Sequence, residues 1–268
     1  MASAPRTIFI TGAASGIGRE TARLFAARGW FVGMADVDGR SLAELGETLG
    51  RERCLPIVLD VTDVPSWQRA IETFAAATNG RLDVLFNNAG IARMGLNEAI
   101  DLVDQHRIVD TNLKGVLSGV AAALPLLKAT PGSRIVTMSS TSSLYGIPEL
   151  AVYSATKHAV RALTEALSLE LERYGIEVCD IVAPYVWTPL VVAAERQAYS
   201  IATTGIRLRP EQIASVVWRA VHGNQLRWHV HALTHLLGFV FWLLPFARRP
   251  LVRRLCLSPG FRAGAPNR

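Results

Sequence analysis

Thr7-Ile8-Phe9-Ile10-Thr11-Gly12-Ala13-Ala14-Ser15-Gly16-Ile17-Gly18-Arg19 is the stretch on which the reading of this chain turns. Residues 7–10 form a short apolar run of strand type. Three glycines follow within seven residues, and helical periodicity takes over after them. A strand-to-helix turn rich in glycine lets backbone approach a ligand closely and points amide N–H groups at it. The helix dipole adds partial positive charge, so the turn suits a pyrophosphate. The spacing is Gly-x-x-x-Gly-x-Gly, not the commoner Gly-x-Gly-x-x-Gly, and a tight turn with no ligand is the competing reading of this stretch alone.

Outward from it, the same alternation repeats. Apolar runs at residues 31–35, 54–59, 83–86, 134–138 and 176–182 are each followed by a polar or glycine-bearing turn and an amphipathic stretch. Continuous apolar strands alternating with helices predict an α/β fold: a doubly wound parallel sheet covered on both faces. Residues 1–225 read as one catalytic body, and 226–268 as a last strand plus an apolar and basic helical tail. Residues 189–209 read as an insertion over the carboxyl edge of the sheet. The last ten residues, rich in Pro, Gly and Arg, are expected to fray.

Composition narrows the class. Of 268 residues, 50% are hydrophobic and 19% charged, which excludes a disordered, solvating chain. Three widely spaced cysteines, Cys54, Cys179 and Cys256, exclude a disulfide framework or a cysteine-based zinc cluster. The net charge of +6 is unevenly spread: residues 1–206 carry 18 Lys/Arg against 21 Asp/Glu, whereas 207–268 carry ten arginines and one acid, Glu211. A mildly acidic body with a basic, apolar tail does not suggest nucleic acid. The first apolar run is too short for a signal-peptide core, so a cytoplasmic location is expected. The clustered histidines His222, His229, His231 and His235 have no acid nearby to support a metal, and no metal site is expected.

Several groups then fall at strand ends. Asp36 lies eighteen residues past Gly18. A carboxylate there accepts hydrogen bonds from the ribose hydroxyls of a dinucleotide and repels a 2′-phosphate. The alternative is a cap on the next helix. Asp60 ends the third run, where an acid could bind an adenine amino group, and Asn87-Asn88-Ala89-Gly90 ends the fourth with small residues. Ser140 ends the fifth, and Tyr153-Ser-Ala-Thr-Lys157 follows with i,i+4 spacing that stacks phenol and ammonium on one helix face. The ammonium is expected to lower the phenol's pKa, fitting Tyr153 to exchange a proton with an alcohol or carbonyl. Ser140 would hold the substrate oxygen. Tyr145 has Glu149 four residues on, which would raise its pKa. Asn112, within Thr111-Asn-Leu-Lys-Gly115, reads as a helix-start cap.

Taken together, Thr11-Gly-x-x-x-Gly-Ile-Gly18, Asp60-Val61, Asn87-Asn-Ala-Gly90, Asn112, Ser140 and Tyr153-x-x-x-Lys157 resemble the short-chain dehydrogenase/reductase family, over roughly residues 6–222. The resemblance implies a Rossmann-type sheet and hydride transfer at the nicotinamide of NAD, NADP being the alternative because Arg19 recurs in NADP-dependent relatives. It implies catalytic roles for Asn112, Ser140, Tyr153 and Lys157. Cofactor contacts would come from Gly12, Ser15, Gly16, Ile17, Gly18, Asp36, Asp60, Val61, Asn88, Ala89, Gly90, Tyr153, Lys157 and Thr188. One departure stands out: Ala183-Pro184 replaces the family's Pro-Gly, and proline fixes φ near about −65°.

Leu144, Tyr145, Ile147, Tyr185, Val186, Trp187, Leu190, Val191 and Val192 adjoin the expected mouth, with no basic residue there before Arg196. A lipophilic secondary alcohol or ketone is the expected substrate. An inactive cofactor-binding scaffold is the alternative of another class. Residues 228–257 read as a surface that docks peripherally on a membrane. Within them, 232–246 is a helix candidate of about 22 Å, short of a hydrocarbon core of about 30 Å. Leu233, Leu236, Leu237, Val240, Phe241 and Leu244 share one of its faces. A homo-oligomer interface is the competing use of this tail.

Overall fold

The computed structural model describes residues 4–192, 197–206 and 208–262. Arg196, Arg207, residues 263–268 of the expected frayed end, and the side chain of Leu233 lie outside what is described. Seven parallel strands form one sheet: β1 (Thr7–Thr11), β2 (Phe31–Asp36), β3 (Cys54–Val58), β4 (Val84–Asn87), β5 (Arg134–Met138), β6 (Glu177–Val182) and β7 (Arg227–His229). Their order is β3-β2-β1-β4-β5-β6-β7. The order reverses between β1 and β4, which opens a crevice at their carboxyl ends.

The strands are apolar throughout because both faces are covered. Ile8 and Ile10 of β1, Val84 and Phe86 of β4 and Val136 of β5 point to one face. There they meet α1 (Gly16–Ala27), α2 (Gly39–Leu49) and α9 (Pro210–His222). Phe9, Leu85 and Ile135 alternate with them toward the other face. On that side lie α3 (Val64–Thr78), α5 (Gly115–Ala129) and α6 (Ala151–Glu170), with Trp67 and Phe74 fully buried. Period-two alternation inside a continuously apolar strand is what a two-faced parallel sheet requires.

Between α3 and α5 the chain forms α4 (Leu102–Val109), which runs into α5 through one π turn, Asp110–Lys114. Over the carboxyl edge lie two short helices, α7 (Pro189–Val192) and α8 (Tyr199–Thr204), within the segment expected as an insertion.

The tail departs from the single helix expected over 232–246. It forms α10 (Ala232–Leu243), α11 (Pro245–Cys256) and α12 (Pro259–Arg262). Pro245 has no N–H to continue α10 and instead serves in the first turn of α11. Of the face expected to be shared on α10, Phe241 is buried while Leu236 and Leu244 are exposed. Among the described residues, no helix is long and apolar enough to cross a membrane.

Candidate active site

A cavity of about 410 Å³ lies at the carboxyl ends of β1, β2, β4, β5 and β6. Its floor is the glycine turn between β1 and α1. Gly12 has φ +67°, and a Cβ on it would lie 2.9 Å from Asn88 Nδ2. A Cβ on Gly18 would stand 2.1 Å from the Gly12 carbonyl oxygen, so α1 can start this close to β1 only with glycine there. Asn88 stitches the turn, its Nδ2 donating to the carbonyls of Thr11 and Gly12 at 2.9 and 3.2 Å. Thr11 Oγ1 accepts from the amides of Asn88 and Ala89, both at 3.0 Å. Thr11 is therefore a positioning residue that the sequence reading passed over, although it directly precedes the first glycine.

Ser15 precedes α1 without a side-chain cap hydrogen bond, which leaves the first-turn amides without a side-chain acceptor. Gly12, Ser15, Gly16 and Ile17 all face the cavity. A bare helix start behind a glycine cradle that Cβ atoms would fill suits a dinucleotide pyrophosphate. At the neighbouring strand end, Asp36 Oδ2 accepts from the Ala14 amide at 3.0 Å and Oδ1 from the Asp38 amide at 3.1 Å. Asp38, not Asp36, caps α2 through Ser41. Asp36 thus lines the cavity, next to the exposed Val37. Asp60, Val61, Ala89 and Gly90 line it as well, and one Asp60 oxygen is held by Thr62. The residues present fit a nicotinamide dinucleotide.

The other half of the cavity collects Ser140, Tyr153 and Lys157. Lys157 is buried, and its Nζ donates to the Met138 carbonyl at 2.7 Å. Burial pushes this ammonium down to about 8. Ser140 Oγ accepts from the Ser142 amide at 3.1 Å, which fixes it at the end of β5. The Tyr153 phenol departs from expectation: burial raises its pKa, and a hydrogen bond with Ser140 only partly offsets the rise. Lys157 Nζ stands 5.6 Å from the Tyr153 ring centroid and points at a carbonyl, so its charge does not overcome desolvation.

Asn112 is not a helix-start cap. It sits fully buried inside the π turn, where its Oδ1 accepts from the Ile91 amide at 2.8 Å and its Nδ2 donates to the Ile91 carbonyl at 2.9 Å. Nδ2 also reaches Thr156 Oγ1 at 3.3 Å, which ties the turn to the helix carrying Tyr153 and Lys157. The extra residue of a π turn is what swings an amide side chain inward from the middle of a helix. Neither Thr156 nor the turn was legible from spacing.

Tyr145 differs in cause. Its pKa is pushed up to about 12 by burial and by Cys256, not by Glu149. Residues 145–149 are not helical: Glu149 has φ +65° and turns its carboxylate to the Tyr199 amide at 2.6 Å. Of the nine apolar residues expected at the mouth, Tyr185, Val186, Leu190 and Val191 line the cavity. Leu144, Tyr145 and Ile147 pack in a neighbouring cluster, and Trp187 and Val192 are exposed. Arg107 lines the cavity, contrary to the expectation of no basic residue before Arg196, and pairs with Asp104 at 3.3 Å. Ala183-Pro184 needs no left-handed backbone, and the Ala183 carbonyl accepts the Thr141 amide at 3.0 Å. Thr188 closes the rim: a Cβ on Gly16 would come within 3.1 Å of its methyl. Among the described residues, no group of three His, Cys, Asp or Glu side chains could hold a metal.

Known proteins resemble this chain in sequence and in fold. Residues 6–198 match the model of the short chain dehydrogenase family. The chain is 37% identical to trans-4-hydroxycyclohexanecarboxylate dehydrogenase of Sinomonas cyclohexanicum, over 72% of this chain and 77% of that one. It is 32% identical to cyclohexanol dehydrogenase of Acinetobacter sp. strain SE19, over 79% and 86%. In structure it is similar to a short chain dehydrogenase/reductase from Burkholderia phymatum in complex with NAD, with a TM-score of 0.82 and 25% identity over 92% of this chain and 96% of that one. The chain belongs to the short-chain dehydrogenase/reductase family, the NAD(P)-dependent oxidoreductases that act on alcohols.

Proposed function

We propose that the protein interconverts a lipophilic secondary alcohol and its ketone with NAD(H), and that Tyr153 exchanges the proton. The observation that carries this reading is the convergence of Ser140, Tyr153 and Lys157 on one cavity that also holds Asp36 and the glycine turn. Bound NAD would accept or return the hydride. Ser140 Oγ holds the substrate oxygen, and Tyr153 takes the alcohol proton or gives one to the ketone. Lys157 grips the ribose hydroxyls, and Asn112 holds the π turn from which a proton relay could leave. Thr188 meets the carboxamide end. The walls Met94, Leu150, Tyr185, Leu190 and Val191 favour an apolar ring or chain over a charged one. Of the ring alcohols named for the two relatives, cyclohexanol agrees with that choice, whereas 4-hydroxycyclohexanecarboxylate keeps the ring but carries a charge.

Asp36 with Val37 beside it supports NAD over NADP, since a carboxylate repels a 2′-phosphate and no base adjoins to receive it. A homo-oligomer belongs to the same reading. Leu102 and Val103 on α4, Leu117 on α5 and Leu169 on α6 are exposed apolar side chains that do not line the cavity. Titration of the protein with NADH and NADPH, followed by nicotinamide fluorescence, tests the cofactor. NADH is expected to bind more tightly, and Asp36→Ala with Val37→Arg should move the preference toward NADPH. An unmodified enzyme that prefers NADPH would refute it. A screen of cyclic and long-chain secondary alcohols tests the substrate class, which fails if only small charged alcohols turn over.

A further inference from the structure

The outer side of the C-terminal helices is built unlike the rest of the surface. Along α10, His235, Leu236, Phe239, Trp242 and Leu243 recur at three- and four-residue spacing, and Phe246 adds to the stripe from the first turn of α11. This stripe faces outward: Leu236 is 55% exposed, Phe239 53%, and Trp242 and Phe246 each 76%. The opposite side is already satisfied, with Phe241 buried edge-on against Tyr145 at 5.1 Å between ring centroids. An amphipathic helix on a protein surface normally turns its polar side outward; α10 turns large apolar side chains there.

Directly after it, α11 carries Arg248, Arg249, Arg253 and Arg254, and no acid follows Glu211 anywhere in the sequence. Between α11 and the loop after β5 lies a second cavity of about 580 Å³, separate from the cofactor cavity. Tyr145, Pro148 and Val252 give it apolar walls, and Arg248 and Arg249 border it. It begins at Pro245, one residue before the last aromatic of the stripe. Exposed apolar side chains, a cluster of guanidinium groups and a cleft with basic edges complement the layers of an anionic bilayer surface: hydrocarbon, phosphate, headgroup.

We propose that α10 and α11 dock the enzyme on an anionic phospholipid surface, with the α10 stripe at the acyl boundary and the α11 arginines on headgroup phosphates. Charge decides between lipid and a second copy of the chain. A two-fold contact between the α10–α11 faces would offer these arginines no acid, since none follows Glu211 in the sequence, whereas phosphates complement them. Length decides against spanning, because twelve residues of α10 reach about 18 Å where a hydrocarbon core is about 30 Å. Docking would bring the bilayer within one helix of the active site, because the buried side of α10, opposite the stripe, borders it. Leu144, Tyr145, Leu150 and Phe241 form one apolar cluster, and Tyr153 packs against it. An alcohol dissolved in the bilayer would then enter from the membrane side. That consequence rests on the lipophilic-substrate reading; the docking does not.

Co-sedimentation of the full-length protein tests it, with vesicles of phosphatidylcholine alone and of phosphatidylcholine mixed with phosphatidylglycerol. The protein is expected to pellet with the anionic vesicles and to stay in solution with the neutral ones, and high salt should release it. Each α11 arginine changed to glutamine should weaken binding about fivefold. Trp242→Glu with Phe246→Glu should abolish it while NADH binding, which shows that the body is folded, stays unchanged. A wild-type protein that remains in solution with anionic vesicles overturns the proposal. So does binding indifferent to salt and to phosphatidylglycerol, or a detergent-free oligomer that the Trp242→Glu, Phe246→Glu variant disperses. Vesicle binding without alcohol turnover would sink the functional reading alone, and turnover without vesicle binding would sink the docking alone.

Discussion

Lys157 sits where two demands meet. Its stem is buried among β5 and α6, and its ammonium donates to the Met138 carbonyl. That environment lowers it to about 8, so it carries a full charge at pH 6.5 and has largely lost it at pH 9.5. Because the ammonium is the group that would grip the ribose hydroxyls, NADH affinity should fall as pH rises through about 8. Fluorescence titration across that range checks it. Lys157→Met should bind more weakly than wild type at low pH and show no such step. The i,i+4 pairing with Tyr153 is plain in the sequence, because helix spacing is fixed by geometry. The direction of the Tyr153 shift is not, because it depends on how much water the folded cavity excludes. Asn112 shows the same limit: its neighbours in sequence look like a helix start, and only the packed structure turns them into a π turn that faces Ile91 and Thr156.

Among the elements, the glycine turn carries the most information per residue. The sequence shows three glycines after a strand, and physics says that backbone must come close to something. The structure shows what each meets: Gly12 meets Asn88, Gly18 the Gly12 carbonyl and Asn88, and Gly16 the Thr188 methyl. Gly18→Ala would force backbone against backbone, so the start of α1 must move away from β1. The expected cost is about 1–3 kcal/mol of stability. NADH affinity should drop by at least about tenfold, since a displaced helix start misaligns the amides aimed at the pyrophosphate. Thermal unfolding and NADH titration of that variant check both, and an unchanged Tm with unchanged affinity would show that the turn is not built as described. The tail was less legible. Hydropathy marks residues 232–246 as apolar, but not that Pro245 ends α10 or that the apolar stripe faces out, because orientation is set by what Phe241 finds to pack against.

At the scale of the whole molecule, the two-faced sheet places every strand's carboxyl end on one edge, and that edge gathers residues from 12 to 191 into one cavity. The strand alternation made this architecture readable, since a run of four to six apolar residues ahead of a turn allows few other folds. Arg107 was not readable in the same way: nothing local distinguishes it from the other surface arginines, and only the packing of α4 beside the crevice brings it to the lining. The account stands or falls on Tyr153 as the proton-exchanging group in an NAD-dependent alcohol oxidation. The most direct test is steady-state turnover of a cyclic secondary alcohol with NAD by wild type and Tyr153→Phe, beside NADH affinity for each. Removing only the phenolic oxygen should cut kcat by about 10²–10⁴-fold and leave NADH affinity within a few-fold. A Tyr153→Phe enzyme that keeps more than about a tenth of wild-type turnover would contradict the account, because general acid–base catalysis by that hydroxyl cannot then be what the cavity is built around.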